Sequence, residues 1–162
     1  MQKFLSWAAV ILWMALIFYL SNQPATDSSE LSRGVTEVIV TTIEKVAPHT
    51  EFDISNFNHI VRKNAHFFIY FVLGMLVINA LRRSGVYGIR GIGFALLICV
   101  LYAISDEVHQ LFIPGRSGEV RDVLIDSAGA SVGIGVYLVI GRVVNRRKYS
   151  DKSSNDSDIR VS

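Results

Sequence analysis

The sequence predicts an all-α membrane protein, a four-helix bundle with one extracytoplasmic amphipathic helix between its first two spans. Of the 162 residues, 51% are hydrophobic and only 19% are charged, which is more apolar than a typical soluble domain. Four apolar runs, at about 4–20, 65–81, 91–110 and 122–141, approach the roughly 20 residues that a helix needs to cross a bilayer. Basic residues collect at alternate ends of these runs, as the positive-inside rule requires.

The first apolar run, Phe4–Leu20, is interpreted as a retained membrane anchor. A short apolar segment near an N-terminus can also be a signal peptide, which ends in small residues at a cleavage site. The residues that follow this run, S-N-Q-P-A-T-D, do not show that pattern. We therefore count this run as the first span.

The stretch between the first and second spans predicts an amphipathic helix on the outer surface. Asp27 followed by Glu30 is typical of a helix start. One apolar stripe then recurs every three or four residues, at Leu31, Val35, Ile39, Ile43 and Val46. Such a helix would lie on lipid or cap the bundle, and Pro48 would end it.

Short sequence patterns at or near their ends support the prediction of the later spans. Ser55 could cap a helix that runs from Asn56 through the second span. The turn-rich loop L-F-I-P-G-R-S-G-E-V-R makes the third and fourth spans antiparallel neighbours. Gly129 and Gly133, four residues apart, predict close helix packing on one face of the fourth span. Residues 1–148 are predicted to form one domain, and the polar tail at 149–162 is predicted to be disordered in the cytoplasm.

The distribution of charge predicts that both termini lie in the cytoplasm of a multi-pass protein. The basic residues that would then face inward are Lys3, Arg82, Arg83, Arg90, Arg142, Arg146, Arg147 and Lys148. The acids that would face outward are Asp27, Glu30, Glu37, Glu44, Glu51, Asp53 and Glu119. The loop between the third and fourth spans would therefore be extracytoplasmic.

Helix geometry places an ionisable side chain of three spans at one depth. With a rise of about 1.5 Å per residue, His66, Asp106 and Asp126 each fall roughly 6 Å below the outer boundary of the hydrocarbon. Charged groups are costly at this depth, so they should face the bundle interior and one another. The sequence therefore predicts a shared polar site in the outer half of the bundle.

Spacing on each helix suggests which side chains line that site. The candidate catalytic groups are His66, Asp106, His109 and Asp122. The candidate ligand-binding groups are Arg62, Lys63, Tyr70, Glu107, Gln110, Arg116, Arg121 and Asp126. Asp106, His109 and Gln110 share one face of the third helix. Glu107 and His109 diverge by about 200° on a regular helix, so both could not bind one ion there.

The chain resembles the VanZ-like family of bacterial membrane proteins. The resemblance rests on K-N-A-H-F-F-I-Y-F-V-L-G at 63–74, D-E-V-H-Q-L-F-I-P-G-R at 106–116 and R-D-V-L-I-D-S-A-G-A-S-V-G at 121–133. The S-N-Q-P after the first span is similar to the family's S-x-Q. The resemblance implies a small multi-spanning protein of the bacterial cytoplasmic membrane. It also implies a possible link to resistance against teicoplanin, a lipid-tailed glycopeptide, but no particular reaction.

One interpretation of the polar groups is structural. Buried polar groups need partners whatever their role, so these side chains could form a salt-bridged latch between helices. Its members would be His66, Asp106, Arg116 and Asp122.

A second interpretation is a binding module. Arg62, Lys63, Arg116 and Arg121 would form a cationic collar at the level of the outer headgroups. Guanidinium groups suit phosphate and carboxylate, so the predicted partner is an anionic membrane lipid or a lipid-linked cell-wall precursor.

A third interpretation is an enzyme. His66 and His109 could exchange protons while Asp106 or Asp122 orients an imidazole, although no motif supplies a nucleophile. A metal site that uses His66, Asp106, His109 and Asp126 is conceivable. No H-E-x-x-H or comparable spacing supports it, so no metal and no cofactor are predicted.

Other classes of function are disfavoured. The formal net charge of +2 is too small to indicate a nucleic-acid partner. A transporter is disfavoured because the inner half of the spans holds few polar residues, namely Asn79, Tyr102 and Tyr137. The sequence does not predict an oligomeric state.

Overall fold

The computed structural model describes residues 1–23, 34, 54–116 and 118–159. The described chain forms four helices: α1 (Gln2–Ser21), α2 (Ile54–Arg83), α3 (Gly88–Gln110) and α4 (Val120–Ile159). Each contains one of the predicted spans, and each has a stretch long and apolar enough to cross a membrane. The predicted all-α, four-helix membrane fold is therefore confirmed. The predicted surface helix between the first two spans lies, apart from residue 34, outside the described residues.

Side-chain contacts between helix ends show that consecutive helices are antiparallel. Nη1 of Arg83, at the end of α2, donates to Oε1 of Gln2, at the start of α1, over 2.6 Å. At the opposite end of the bundle, Oγ of Ser21 donates to Oδ2 of Asp106 over 2.9 Å. We call the end that holds Ser21, Lys63, Gln110 and Asp122 the polar end. The other end, which holds Arg82, Arg83, Arg90 and Arg142, is called the arginine end.

The most extensive helix interface joins α2 and α4 and depends on small residues. A Cβ atom built on Gly129 would overlap the carbonyl oxygen of Phe67, and one built on Gly133 would overlap that of Phe71. Only glycine lets the two backbones approach so closely. The close packing predicted for Gly129 and Gly133 is confirmed.

The outer surface of the bundle is apolar, as expected for helices surrounded by lipid. Ile11 is 64% exposed, Leu97 is 52% exposed and Leu124 is 65% exposed. In water, such an apolar surface would drive aggregation, whereas in a bilayer these side chains contact acyl chains. Among the described residues of the membrane-spanning stretches, the charged side chains lie at the helix ends or in the bundle interior, while a few serines such as Ser131 are exposed.

The helix ends are set by glycine and proline. Between α2 and α3, Gly85 has a φ of +89°, a conformation that other residues rarely adopt. After α3, Pro114 and Gly115 form a tight turn in which Gly115 has a φ of +76°. By contrast, residues 142–159 contain neither glycine nor proline, and α4 continues to Ile159. The disorder predicted from residue 149 onward stays a prediction.

Candidate functional site

Four ionisable side chains converge inside the polar end of the bundle. They are His66 from α2, Asp106 and Glu107 from α3, and Asp126 from α4, here called the acid–histidine cluster. One potential ligand atom from each of the four lies within 4.8 Å of the others. Asp106 is 3% exposed, Glu107 5% and Asp126 0%. All four residues lie within the membrane-spanning stretches of their helices.

Close packing of α2 on α4 brings the histidine to its carboxylate. Gly129 lies one helical turn from Asp126 and packs against the backbone of Phe67, the neighbour of His66. As a result, Nδ1 of His66 lies 3.5 Å from Oδ1 of Asp126. This distance suits an ion pair, but neither oxygen of Asp126 meets hydrogen-bond geometry with any described group. The predicted meeting of His66, Asp106 and Asp126 is thus seen in the structure, while their role stays a prediction.

The face that α3 turns inward differs from the predicted one. Glu107 is buried beside Asp106, whereas the ring of His109 stacks on Phe18 with centroids 4.5 Å apart. His109 is not among the converging groups, so the expected proton exchange between His66 and His109 lacks structural support. The reason is that small residues set the rotation of α3. Its buried stripe of Ala95, Cys99 and Ala103 leads directly to Asp106, Glu107 and Gln110.

Hydrogen-bond donors hold two of the carboxylates in place. Oδ2 of Asp106 accepts from Oγ of Ser21 at 2.9 Å and from Nε2 of Gln110 at 3.3 Å. Oε2 of Glu107 accepts from the backbone amide of Glu119 at 2.9 Å. Nε2 of Gln110 also approaches Oε1 of Glu107, at 3.4 Å. These donors orient Oδ2 of Asp106 and both oxygens of Glu107, and they come from α1, α3 and the loop before α4.

Several buried polar atoms in this region have no hydrogen-bond partner within the described part of the chain. They include Oδ1 of Asp106, both carboxylate oxygens of Asp126, the hydroxyl of Tyr70 and Nε2 of His109. Tyr70 lies one turn from His66 on α2 and is fully buried. Buried polar atoms are nearly always satisfied, so such a group calls for an explanation by a bound ligand, an ion or a proton.

The predicted cationic collar is only partly present. Nζ of Lys63 lies 3.6 Å from Oδ1 of Asp122 and 3.8 Å from Oε2 of Glu119, so its charge is shared with two acids. Arg121 is exposed, and the side chain of Arg62 lies outside the described part of the structure. Nη2 of Arg116 reaches the carbonyl oxygen of Leu20, the residue before Ser21, at 3.5 Å.

Two contributors to the site were not predicted from the sequence. Ser21 supplies a side-chain donor from α1, and Glu119 supplies its backbone amide. Ser21 could have been found, because it ends the first apolar run at the boundary where the other polar groups lie. The Glu119 amide could not, because only the path of the loop directs it toward Glu107.

A comparison with known protein families shows to which family the chain belongs. The profile of the VanZ/LLP1 family matches residues 6–141, which include the acid–histidine cluster and the loop that bears Arg116. The chain belongs to the VanZ/LLP1 family. No curated protein and no solved structure matches it. This VanZ/LLP1 protein is therefore a membrane protein with four apolar helices, and its activity has to be argued from its own site.

Proposed function

We propose that this chain binds the phosphate-bearing headgroup of an envelope lipid or lipid-linked cell-wall precursor at its polar end. The observation that carries the proposal is the convergence of four ionisable side chains from three helices inside the membrane-spanning region. Burying such groups in a bilayer is costly, and they usually mark a binding or transport site. Recognition alone accounts for the arrangement and requires no bond to be made or broken.

Arg116 is the residue that we assign to the phosphate. It lies in the loop after α3, with its Nη2 3.5 Å from the carbonyl oxygen of Leu20, the residue before Ser21. A guanidinium group donates two parallel hydrogen bonds to a phosphate, which gives both affinity and orientation. The phosphate would bind at Arg116 itself, on the side away from the carboxylates of the acid–histidine cluster, while the acyl or prenyl chain stays in the surrounding lipid.

We also propose that the polar end faces outward across a bacterial cytoplasmic membrane, with both termini inside. This proposal is supported by the four arginines of the arginine end, because positive residues favour the cytoplasmic side. An envelope lipid in the outer leaflet would then reach the site laterally. A contribution to teicoplanin resistance would follow if the bound lipid changed access of the drug to its target.

The experiment compares polyprenyl phosphate with polyprenol, which has the same chain without the phosphate. Binding is measured by native mass spectrometry on the full-length protein in lipid nanodiscs. We expect the phosphate to bind at least about 10-fold more tightly, since hydrogen bonds to charged groups are worth about 1.5–3 kcal/mol. Equal binding of both lipids would overturn the proposal.

Variants at two arginines locate the binding site. Arg116→Gln should weaken polyprenyl phosphate binding about 10- to 100-fold, and Arg116→Lys should have an intermediate effect because it keeps the charge but loses the planar fork. Arg90→Gln is the matched control, since Arg90 is exposed at the arginine end. Equal loss in the Arg90 and Arg116 variants would show non-specific attraction instead.

The structure also favours one alternative, a latch between helices. Its support is the pair of Lys63 and Asp122, whose side chains are only 19% and 10% exposed. If the polar groups only hold helices together, Asp122→Asn should lower thermal stability while lipid binding stays undetectable in every variant. Selective phosphate binding in the wild type would exclude this alternative.

A further inference from the structure

We propose that the acid–histidine cluster binds a divalent transition-metal cation, such as Mn²⁺ or Zn²⁺, through one imidazole nitrogen and three carboxylates. This site goes beyond the proposed lipid-binding function and can be tested without any lipid. The inference rests on the spacing of the four groups, on their burial and on the hydrogen bonds around them.

The spacing of the donors suits a metal ion. Ligand atoms bind Zn²⁺ at about 2.0–2.2 Å in a tetrahedral arrangement, so neighbouring ligand atoms lie roughly 3.4 Å apart. In this protein, the four potential ligand atoms lie within 4.8 Å of one another. Side-chain movements of less than about 1 Å would therefore bring all four into one coordination sphere.

The charges of the cluster call for a cation. Three carboxylates lie together where water is largely excluded, and their negative charges repel one another. Lys63 is directed toward Asp122 and Glu119, which lie outside the cluster. A divalent ion would neutralise most of the cluster's charge at a single point. It would also provide a partner for the oxygens of Asp126, which is 0% exposed.

The surrounding hydrogen bonds orient the carboxylates and leave one oxygen of Asp106 able to bind an ion. Ser21 and Gln110 donate to Oδ2 of Asp106, so its Oδ1 is left without a donor among the described groups. The amide of Glu119 donates to Oε2 of Glu107, and Nε2 of Gln110 donates to its Oε1 at 3.4 Å, so Glu107 would bind the ion through a second lone pair of one of these oxygens. Metal-binding carboxylates are commonly oriented in this way by a second layer of donors.

The chemical types of the four ligand groups indicate which metal ions would bind. One imidazole with three carboxylates suits Mn²⁺, Fe²⁺ or Zn²⁺, whereas Ca²⁺ prefers oxygen ligands alone. Cys99, the single cysteine, is buried on α3 two turns from Asp106 and is not among the converging ligands. A metal that selects thiolates is therefore not expected.

The test uses the purified full-length protein, stripped of metal with a chelator and free of added lipid. Mn²⁺ binding is followed by loss of the electron paramagnetic resonance signal of the free ion, and Zn²⁺ binding by competition with a chromophoric chelator. We expect about one ion per chain. Asp126→Asn and Glu107→Gln should each weaken binding at least about 10-fold, because changes even in the second layer of a metal site cost 10- to 100-fold.

Two variants serve as controls. His109→Gln removes an imidazole that stacks on Phe18, and Arg90→Gln removes an exposed charge at the arginine end. Both should bind the ion as the wild type does. Failure of the wild type to bind either ion at roughly 1 mM would overturn the proposal, since protons would then suffice to neutralise the cluster. Equal losses in the cluster variants and the controls would also overturn it.

Thermal unfolding of the metal-free proteins shows whether a variant loses metal binding because it fails to fold. Asp126→Asn removes one of three mutually repelling carboxylates, so the metal-free variant should be at least as stable as the wild type. Added Mn²⁺ or Zn²⁺ should raise the melting temperature of the wild type and leave that of Asp126→Asn unchanged. A metal-free Asp126→Asn variant that melts lower, with no metal effect on the wild type, would instead support a simple His66–Asp126 ion pair.

Discussion

The hydroxyl of Ser21 donates a hydrogen bond of 2.9 Å to Oδ2 of Asp106, and this contact joins the end of α1 to the end of α3. Both residues are buried, with 4% of Ser21 and 3% of Asp106 exposed. Through this bond, α1 contributes a side chain to the polar site, although only a narrow face of α1 packs on the bundle. It also links the first span to the residues that we assign to ligand binding.

Loss of this hydrogen bond should destabilise the protein. We expect Ser21→Ala to lower the free energy of unfolding by about 1 kcal/mol, because a buried carboxylate oxygen loses a donor. Ser21→Thr should retain most of the stability, since it keeps a hydroxyl. Thermal unfolding in detergent measures both, with the exposed Ser105→Ala as the control. A Ser21→Ala variant as stable as Ser105→Ala would contradict the expectation.

The packing of α2 on α4 should be sensitive to a substitution at Gly133 but not to one at Gly135. We expect Gly133→Ala to destabilise the protein by about 1–3 kcal/mol, because the added methyl group would overlap the carbonyl oxygen of Phe71. A methyl group added at Gly135 would meet nothing within 4 Å, so Gly135→Ala should be neutral or stabilising by up to about 1 kcal/mol. Equal unfolding temperatures for the two variants would refute the close approach.

The fully buried Tyr70 and the partly buried Tyr102 should respond differently to loss of the hydroxyl. The hydroxyl of Tyr102 donates to the carbonyl oxygen of Met14 at 2.6 Å, so Tyr102→Phe should destabilise the protein by about 1 kcal/mol. The hydroxyl of Tyr70 has no partner among the groups that the structure describes. Tyr70→Phe should therefore leave the melting temperature of ligand-free protein unchanged or raise it. The reverse order of the two variants would contradict the hydrogen-bond assignment.

Cysteine labelling in intact cells tests the proposed orientation. The native Cys99 is fully buried, so the wild type supplies a low background. Phe112, at the polar end, is 79% exposed, and Tyr87, at the arginine end, is 63% exposed. A membrane-impermeant maleimide should label Phe112→Cys and spare Tyr87→Cys until the membrane is dissolved. Labelling of Tyr87→Cys alone in intact cells would place the site on the cytoplasmic side.

Much of the fold could be predicted because the bilayer imposes simple rules on sequence. Run length predicted four spans, and each predicted span lies within an observed helix. The rise per residue placed His66, Asp106 and Asp126 at one depth, and the structure brings these residues together. The small residues at Gly129 and Gly133 identified the packing face of α4, because close backbone approach excludes a larger side chain.

The amino-acid sequence by itself determined which helices are long and apolar enough to cross a membrane. It also determined which ionisable groups share one height along them, since the rise per residue does not depend on neighbouring helices. Only the tertiary structure decided how each helix is rotated about its own axis and which side chains pair with each other. It placed Glu107 in the cluster and stacked His109 on Phe18, because the small residues of α3 govern how that helix packs. It also paired Lys63 with Asp122, because charge partners depend on contacts between helices distant in the chain.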